Sequence, residues 1–358
     1  MSGRIYNFSA GPAVLPVEVV ETVKENLLNY QGSGLGVMEM SHRGPQFKEI
    51  IESAESNLKE LLDINDDYEV IFTTGGASNQ FSAVPLNLCP EGKTADYVVS
   101  GSWAKKALKE ASRFKETNVA GDSSDKNFSY IQKDLNLSAN SAYLHFTSNN
   151  TIAGTQYRTE PEVGDVPLVC DASSDLLHKK LDVSKYGLIY AGAQKNLGPA
   201  GVTVVIIRKD LLERIPENLP TMLDYRTYVE GKSLANTPPT FPIYVVGEVF
   251  KWLKSTGGLD ARLKLNEEKA AVLYDYVEST DFYQALAVKE DRSLMNVTFK
   301  LSNEELQDAF LKEAKSQGLD GLKGHRSVGG LRASIYNAFP KEGVVALVDF
   351  MKDFASKN

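Results

Sequence analysis

Residues 188–207 read LIYAGAQKNLGPAGVTVVII, two apolar runs separated by a turn rich in glycine. The two runs, Leu188–Ala191 and Val202–Ile207, lack the alternation of apolar and polar residues that marks a half-exposed strand. Strands that are buried on both faces have this pattern, because helices cover both sides of their sheet. We therefore predict two buried strands joined by a turn that carries Lys195.

The same pattern recurs towards the N-terminus. Four further apolar runs predict strands at Glu69–Phe72, Tyr97–Val99, Ala142–Phe146 and Val166–Cys170. Apolar residues at helical spacing predict helices over Val19–Leu28, which Gly32 and Gly34 would stop, over Pro45–Leu62 and over Trp103–Phe114. Buried strands that alternate with helices are typical of an α/β domain with a mainly parallel sheet.

The C-terminal part has a different organisation. A predicted helix from Pro242 to Lys254 stops at Gly257-Gly258, and a longer amphipathic segment follows through Val277. Beyond it, the pattern predicts in order a strand, a helix, a strand and a helix, at Leu294–Phe299, Glu304–Gln317, Leu331–Ile335 and from Glu342. We predict a large domain over residues 16–255 and a small α+β domain over 256–358, joined by the N-terminal segment 1–15.

Composition excludes several classes of protein. Of 358 residues, 42% are hydrophobic and 24% are charged, which is typical of a folded globular protein. The net charge of −8 and the absence of a basic run argue against nucleic acid or an anionic membrane as the main partner. Cys89 and Cys170 have no CxxC spacing, and the four histidines have no metal-ligand spacing. With no apolar signal segment at its start, the sequence predicts a cytoplasmic protein that binds no metal.

Lys195 and Asp171 are the candidate catalytic residues. A lysine between buried strands is partly desolvated, so its amine loses its charge more easily and can form a Schiff base. Asp171 follows the run Val166–Cys170, at the end where a parallel strand delivers side chains to a ligand crevice. The pair matches what pyridoxal phosphate requires, an amine for its aldehyde and a carboxylate for its ring nitrogen. Taken singly, Lys195 could point into solvent and Asp171 could cap a helix.

Other segments carry groups suited to anions. Thr73–Phe81 places small residues after a strand and before a helix, where backbone amides can approach a phosphate. His42-Arg43 and His325-Arg326 repeat one dipeptide, and Arg332 follows the second copy. Guanidinium groups bind carboxylate and phosphate through paired hydrogen bonds. The alternatives are a tight connecting turn for the first segment and surface ion pairs for the arginines.

These motifs together resemble one family, the phosphoserine aminotransferases, which are class-V pyridoxal-phosphate enzymes with the aspartate-aminotransferase fold. The resemblance covers nearly the whole chain, and its most specific stretches are Asn7–Pro12, Met40–Arg43, Ala193–Asn196 and Gly324–Ala338. It implies fold type I, in which helices flank a mainly parallel seven-stranded sheet and a smaller α+β domain follows. It also implies a homodimer with its active sites at the subunit interface.

The resemblance also assigns residues to the cofactor. It implies that Lys195 holds pyridoxal 5′-phosphate as a Schiff base, one per subunit, and that Asp171 binds the ring nitrogen. Trp103, which alone would more simply be a core residue, would stack on the ring, and Thr151 would lie near the 3-hydroxyl. The residues implied at the cofactor phosphate are Ala77, Ser78 and Gln194, with Asn236 and Thr237 from the second subunit. Many members carry Arg at the position of Ser78, so one positive charge is missing here.

The substrates implied are L-glutamate and 3-phosphohydroxypyruvate, which would give 2-oxoglutarate and O-phospho-L-serine by a ping-pong reaction of serine biosynthesis. Some bacterial members also act in pyridoxine biosynthesis. The residues implied at the substrate are Ser9, His42, Arg43, His325, Arg326 and Arg332, with Arg332 on the α-carboxylate. The alternatives are another aminotransferase, a lyase such as a cysteine desulfurase, which needs an exposed nucleophilic cysteine, and a catalytically inactive binding protein.

Overall fold

The computed structural model describes residues 3–358. The α-helices are α1 (Val17–Glu25), α2 (Pro45–Leu62), α3 (Gly76–Leu88), α4 (Ser102–Ala111), α5 (Tyr225–Glu230), α6 (Thr240–Ser255), α7 (Gly258–Glu278), α8 (Gln307–Ser316) and α9 (Lys341–Lys357). The strands are β1 (Tyr6–Asn7), β2 (Tyr68–Thr73), β3 (Thr94–Val99), β4 (Glu116–Asp122), β5 (Ser141–Thr147), β6 (Asn149–Asn150), β7 (Thr155–Gln156), β8 (Leu168–Asp171), β9 (Tyr186–Gly192), β10 (Thr203–Arg208), β11 (Tyr283–Ala285), β12 (Asn296–Leu301), β13 (Leu319–Asp320) and β14 (Leu331–Ser334).

A seven-stranded sheet forms the centre of the larger part, in the order β2-β10-β9-β8-β5-β3-β4. β10 pairs antiparallel with β2 and with β9. The remaining pairs are parallel. One reversed strand in seven confirms the predicted α/β fold with a mainly parallel sheet. Parallel strands end at a common edge, so the turns after β2, β3, β5, β8 and β9 meet there.

Helices cover both faces of this sheet and create two hydrophobic cores. On one face, α2 and α6 pack with a stripe of fully buried residues that includes Phe47, Ala54 and Phe250. On the other face, α3 and α4 pack over Tyr97, Tyr143 and Tyr190 of the sheet. Strands covered on both sides are apolar throughout, which explains why the runs could be recognised in the sequence.

The smaller part contains the antiparallel sheet β11-β12-β14 with α7, α8 and α9. It has its own hydrophobic core, which includes Phe299, Phe310 and Met351. The N-terminal segment belongs to this part, because β1 pairs in parallel with β13. A short connection at residues 256–257 joins α6 to α7.

Residues 335–339 belong to the smaller part and bond to the larger part through Asn337. Within the smaller part, Lys269 Nζ on α7 donates to the carbonyls of Ile335, Tyr336 and Phe339, at 2.9, 2.6 and 3.3 Å. The Asn337 N–H donates to Asn196 Oδ1 at 2.9 Å. Asn196 follows Lys195 directly, so this junction also holds the turn that carries the candidate catalytic lysine.

The sequence placed some boundaries wrongly. Helix α1 ends at Glu25, well before the predicted stop at Gly32, and the Asn26 side chain there donates to the Thr22 carbonyl. The helix predicted to reach Phe114 ends at Ala111. The edge strand β4 was missed because one side of it is free of the sheet, and its polar sequence ETNVAGD carries no apolar run.

Two absences apply to residues 3–358. None of the helices there is both long enough and apolar enough to cross a membrane. The described residues also contain no cluster of three or more His, Cys, Asp or Glu side chains placed to hold a metal ion.

Candidate active site

The carboxyl edge of the parallel strands gathers the central candidate residues. Lys195 lies in the turn after β9, and Asp171 is the last residue of β8. Thr151 follows β6, and Trp103 lies in the first turn of α4, just after β3. These side chains come from distant parts of the chain, so the sheet topology, and not sequence proximity, creates the site.

Lys195 does not point into solvent. Its Nζ donates a hydrogen bond to Thr151 Oγ1 at 2.7 Å. The N-terminal segment crosses the lysine stem so closely that a Cβ on Gly11 would lie 3.2 Å from Lys195 Cγ. Burial, the largest cause, lowers the pKa of the Lys195 amine from 10.5 to about 8, against the opposing charge of Asp171. The lysine is therefore held in place, and its amine loses its proton far more readily than that of an exposed lysine.

We expect this shift to appear in the reactivity of Lys195 in cofactor-free protein. Only the neutral amine is nucleophilic, so its rate of acylation should rise through about pH 8 and level off above it. In an Asp171→Asn variant the rise should occur at lower pH, because the Asp171 charge raises the pKa of the amine. Mass spectrometry of the Lys195 peptide measures both profiles, and a rise only near pH 10 would contradict the expectation.

Asp171 is a buried carboxylate beside that amine. It is 4% exposed, and its Oδ1 accepts the Ser173 N–H at 3.0 Å. Burial raises the pKa of Asp171, while the Lys195 charge and the hydrogen bond from Ser173 oppose the increase. The alternative interpretation from the sequence was a helix cap, but the residues after Asp171 form turns and no helix. Asp171 thus ends its strand and stabilises the turn after it.

A second carboxylate, Asp175, lies behind the first and was missed. It is buried, and it accepts hydrogen bonds from Ser148 Oγ and from Gln156 Nε2 at 3.0 Å. Its negative charge raises the pKa values of both Asp171 and Lys195. The spacing of Asp171 and Asp175, four residues apart in DASSD, was visible in the sequence but is common in ordinary turns.

Trp103 presents its indole ring to the same space. The Lys195 Nζ lies 5.5 Å from the ring centroid. The side chain is half-buried and also packs against the core under α3 and α4. The structure thus places Trp103 both against the core and beside Lys195.

The first turn of α3 lies at the same edge and contains Ala77 and Ser78. Gly75 precedes the helix with φ +86°, a backbone conformation suited to glycine, and no side chain caps the first N–H groups. Ala77 and Gln194 are half-buried, whereas Ser78 is exposed. An amine, a buried carboxylate, an aromatic face and an uncapped helix N-terminus match the aldehyde, ring nitrogen, ring plane and phosphate of pyridoxal phosphate.

Arg332 and His325 bring nitrogen donors from the smaller part. Arg332 donates from Nη1 to the Thr151 carbonyl at 3.3 Å, and its buried Nε has no partner among the described residues. His325 Nδ1 lies 2.8 Å from Ser327 Oγ, and burial with the nearby charges of Arg332, Arg326 and Lys106 lowers the pKa of this histidine. Arg326 itself is exposed.

Ser9 is half-buried, and Gly321 comes so close that a Cβ there would lie 2.7 Å from Ser9 Oγ. The next residue is fixed as well, because Tyr336 Oη donates to the Ala10 carbonyl at 2.7 Å. The N-terminal stretch is thus held between the smaller part and the Lys195 turn.

Four predicted residues are not joined to this group within the described chain. His42 and Arg43 lie in the turn before α2, and the buried Nε2 of His42 has no partner among residues 3–358. Asn236 and Thr237 are exposed in the loop before α6. Nothing in the described part of the chain bonds these side chains to Lys195 or Asp171.

Comparison with known proteins agrees with this geometry. Residues 5–347 match the family model of class-V aminotransferases. The phosphoserine aminotransferase of Desulfatibacillum aliphaticivorans is 54% identical over 360 aligned residues, covering all of both chains. The structure of the enzyme of that name from Bacillus circulans subsp. alkalophilus has a TM-score of 0.98 at 50% identity and also covers both chains completely.

The structure of a PLP-bound phosphoserine aminotransferase from Trichomonas vaginalis has a TM-score of 0.93 at 40% identity, covering 98% of this chain and 100% of that one. Full-length identity of this order leaves no part of the chain outside the resemblance. The chain belongs to the phosphoserine aminotransferases of the class-V aminotransferase family, enzymes that depend on pyridoxal 5′-phosphate.

Proposed function

We propose that the chain transfers the amino group of L-glutamate to 3-phosphohydroxypyruvate, giving 2-oxoglutarate and O-phospho-L-serine, a step of serine biosynthesis. The observation that carries this proposal is the meeting of Lys195, Asp171 and Arg332 at one edge of the sheet, next to the cations of the 325–326 turn. We propose action on the related substrate of pyridoxine biosynthesis as an extension of the same activity.

Bound pyridoxal phosphate supplies an aldehyde that condenses with amines and a ring that withdraws electrons from the substrate's α-carbon. Lys195 Nζ would hold the cofactor through that aldehyde. The same Nζ would serve as the base that takes the proton from the substrate's α-carbon. A pKa of about 8 suits this task, because a general base works best when its pKa is near the working pH.

Asp171 would hold the ring nitrogen, and its negative charge would keep a proton on that nitrogen. The low polarity around a 4% exposed carboxylate strengthens this interaction. The Thr151 hydroxyl accepts the bond from Lys195 Nζ and would lie near the 3-hydroxyl, and the face of Trp103 would limit where the ring can lie. The first turn of α3 would hold the phosphate, with Ala77, Ser78 and Gln194 beside it.

The substrate's charges match the cations at the site. Arg332 binds the α-carboxylate, since its buried guanidinium has an unused donor. His325 and Arg326, together with His42, Arg43 and Ser9, receive the distal group. One set of cationic donors serves both the phosphate of one substrate and the γ-carboxylate of the other.

We propose a homodimer in which Asn236 and Thr237 of the second subunit complete the phosphate site. The exposed position of both residues supports this assignment. Apolar side chains exposed between α1 and α2, namely Leu28 at 84% and Met38 at 62%, are suited to contact with a second copy. Separate cores support domains at residues 16–255 and 256–358, and free, buried Cys89 and Cys170 support a reducing, cytoplasmic location.

Absorbance between 300 and 500 nm tests the proposed function. L-glutamate should shift the cofactor band to that of the amino form, and 3-phosphohydroxypyruvate should restore it. A band that glutamate leaves unchanged would contradict an aminotransferase. A desulfurase alternative is disfavoured because burial raises the pKa values of both cysteine thiols, which keeps them protonated and unreactive.

A further inference from the structure

Lys106 lies against the same aromatic ring as the catalytic lysine, the indole of Trp103. It lies one turn after Trp103 on α4, with its ammonium nitrogen 4.1 Å from the centroid of the indole ring. The Lys195 nitrogen lies 5.5 Å from the same centroid, so the two nitrogens are at most 9.6 Å apart. The indole face attracts the ammonium and restricts an otherwise exposed and flexible side chain.

The Lys106 charge also reaches the turn that carries His325 and Arg326. Together with Arg332 and Arg326, it disfavours protonation of His325, an effect that weakens steeply with distance. α4 and the 325–326 turn come from the two different parts of the fold. Lys106 and the 325–326 turn are therefore close enough for the Lys106 charge to act on His325.

We propose that Lys106 binds the phosphate of the phosphorylated substrate and sets the preference of the pocket for phosphate over carboxylate. The inference rests on the proposed function and adds a residue to it. Lys106 supplies a positive charge in a chain whose first turn of α3 carries the neutral, exposed Ser78.

The selectivity follows from charge. A phosphate monoester carries about −1.5 to −2 at pH 7, whereas a γ-carboxylate carries −1. One additional cation therefore stabilises the phosphorylated substrate more than it stabilises glutamate. An ammonium on a four-carbon stem is a point charge that can follow either ligand, so it favours the more highly charged one without excluding the other.

The test is a comparison of Lys106→Met with two matched variants of the holoenzyme. Lys106→Met retains a straight apolar stem and removes the charge, Lys106→Arg retains the charge, and Lys105→Met removes the exposed charge of the neighbouring residue. We expect Lys106→Met to raise the KM for 3-phosphohydroxypyruvate about 10- to 100-fold, as loss of a charged hydrogen bond does. The KM for L-glutamate should change less than about threefold, and Lys106→Arg and Lys105→Met should resemble the parent.

Calorimetric binding of unreactive ligands provides a readout without turnover. 3-Phosphoglycerate has the phosphate and carboxylate but no group that can exchange nitrogen, and glutarate is the matched dicarboxylate. Lys106→Met should weaken the binding of 3-phosphoglycerate about 10-fold or more and the binding of glutarate by less than about threefold. Equal weakening of both, or of neither, overturns the inference while the parent still catalyses the reaction. A parent that neither transaminates 3-phosphohydroxypyruvate nor binds 3-phosphoglycerate overturns the proposed function together with this inference.

Discussion

Replacement of Lys195 by alanine should lower turnover by about 10⁴-fold or more, with the fold retained. The variant loses two functions of one atom, because Nζ both attaches to the cofactor and takes the α-proton. The loss of the hydrogen bond to Thr151 removes one local contact and leaves both hydrophobic cores intact. Steady-state and single-turnover rates with L-glutamate measure the effect.

Small primary amines add a sharper test of the Lys195→Ala variant. An added amine can replace the base but not the covalent link, so it should restore part of the proton-transfer rate. Lys105→Ala, which removes an exposed lysine away from the site, is the control and should keep full activity. Full activity in Lys195→Ala would contradict the assignment of this residue.

Asp171→Asn should lower turnover by about 10²- to 10⁴-fold at nearly unchanged stability. The amide has the shape of the carboxylate but no charge to keep the ring nitrogen protonated. The stability should not fall, because removal of the charge also removes the desolvation cost that raises the pKa of Asp171. The measurements are kcat and the midpoint of thermal unfolding of the cofactor-free protein.

Asp175→Asn is the matched control for this prediction. Asp175 is equally buried and lies behind Asp171, where its charge acts on Asp171 and Lys195 but its oxygens are bonded to Ser148 and Gln156. Its replacement should lower kcat by less than about tenfold, because its charge acts from a distance. Equal losses in both variants would mean that Asp171 has no direct role at the ring.

Lys195 and Asp171 could be predicted because each adjoins an apolar run, and such runs mark buried strands whose ends form the edge of a sheet. Lys106 could not be predicted, because its proposed role depends on the ring of Trp103 and on a turn more than 200 residues later in the chain. β4 was not predicted from the sequence, because a strand at the sheet edge needs no apolar run.

Arg332 and His325 could be proposed from the sequence as anion-binding groups, but their position relative to Lys195 could not be predicted. Their position depends on the pairing of β14 with β12 in the smaller sheet, which no local pattern specifies. The sequence around Asn236 and Thr237 predicted only a loop before Pro238-Pro239. In the structure of one chain, both residues are exposed and do not bond to Lys195. Their proposed role in a neighbouring subunit's site would leave no signal in their own surroundings.

The junction at residues 335–339 determines how the enzyme should respond to ionic strength. Its bonds to the larger part, from the Asn337 N–H to Asn196 Oδ1 and from Asn337 Nδ2 to the Leu177 carbonyl, join buried atoms, so dissolved ions do not reach them. Exposed cations such as Arg326 and Lys106 are open to counter-ions, whose screening acts over about 8 Å in physiological salt. Added salt should therefore weaken the capture of anionic substrates while the two parts of the molecule keep their relative position. Substrate affinities of this enzyme have to be compared at one fixed salt concentration.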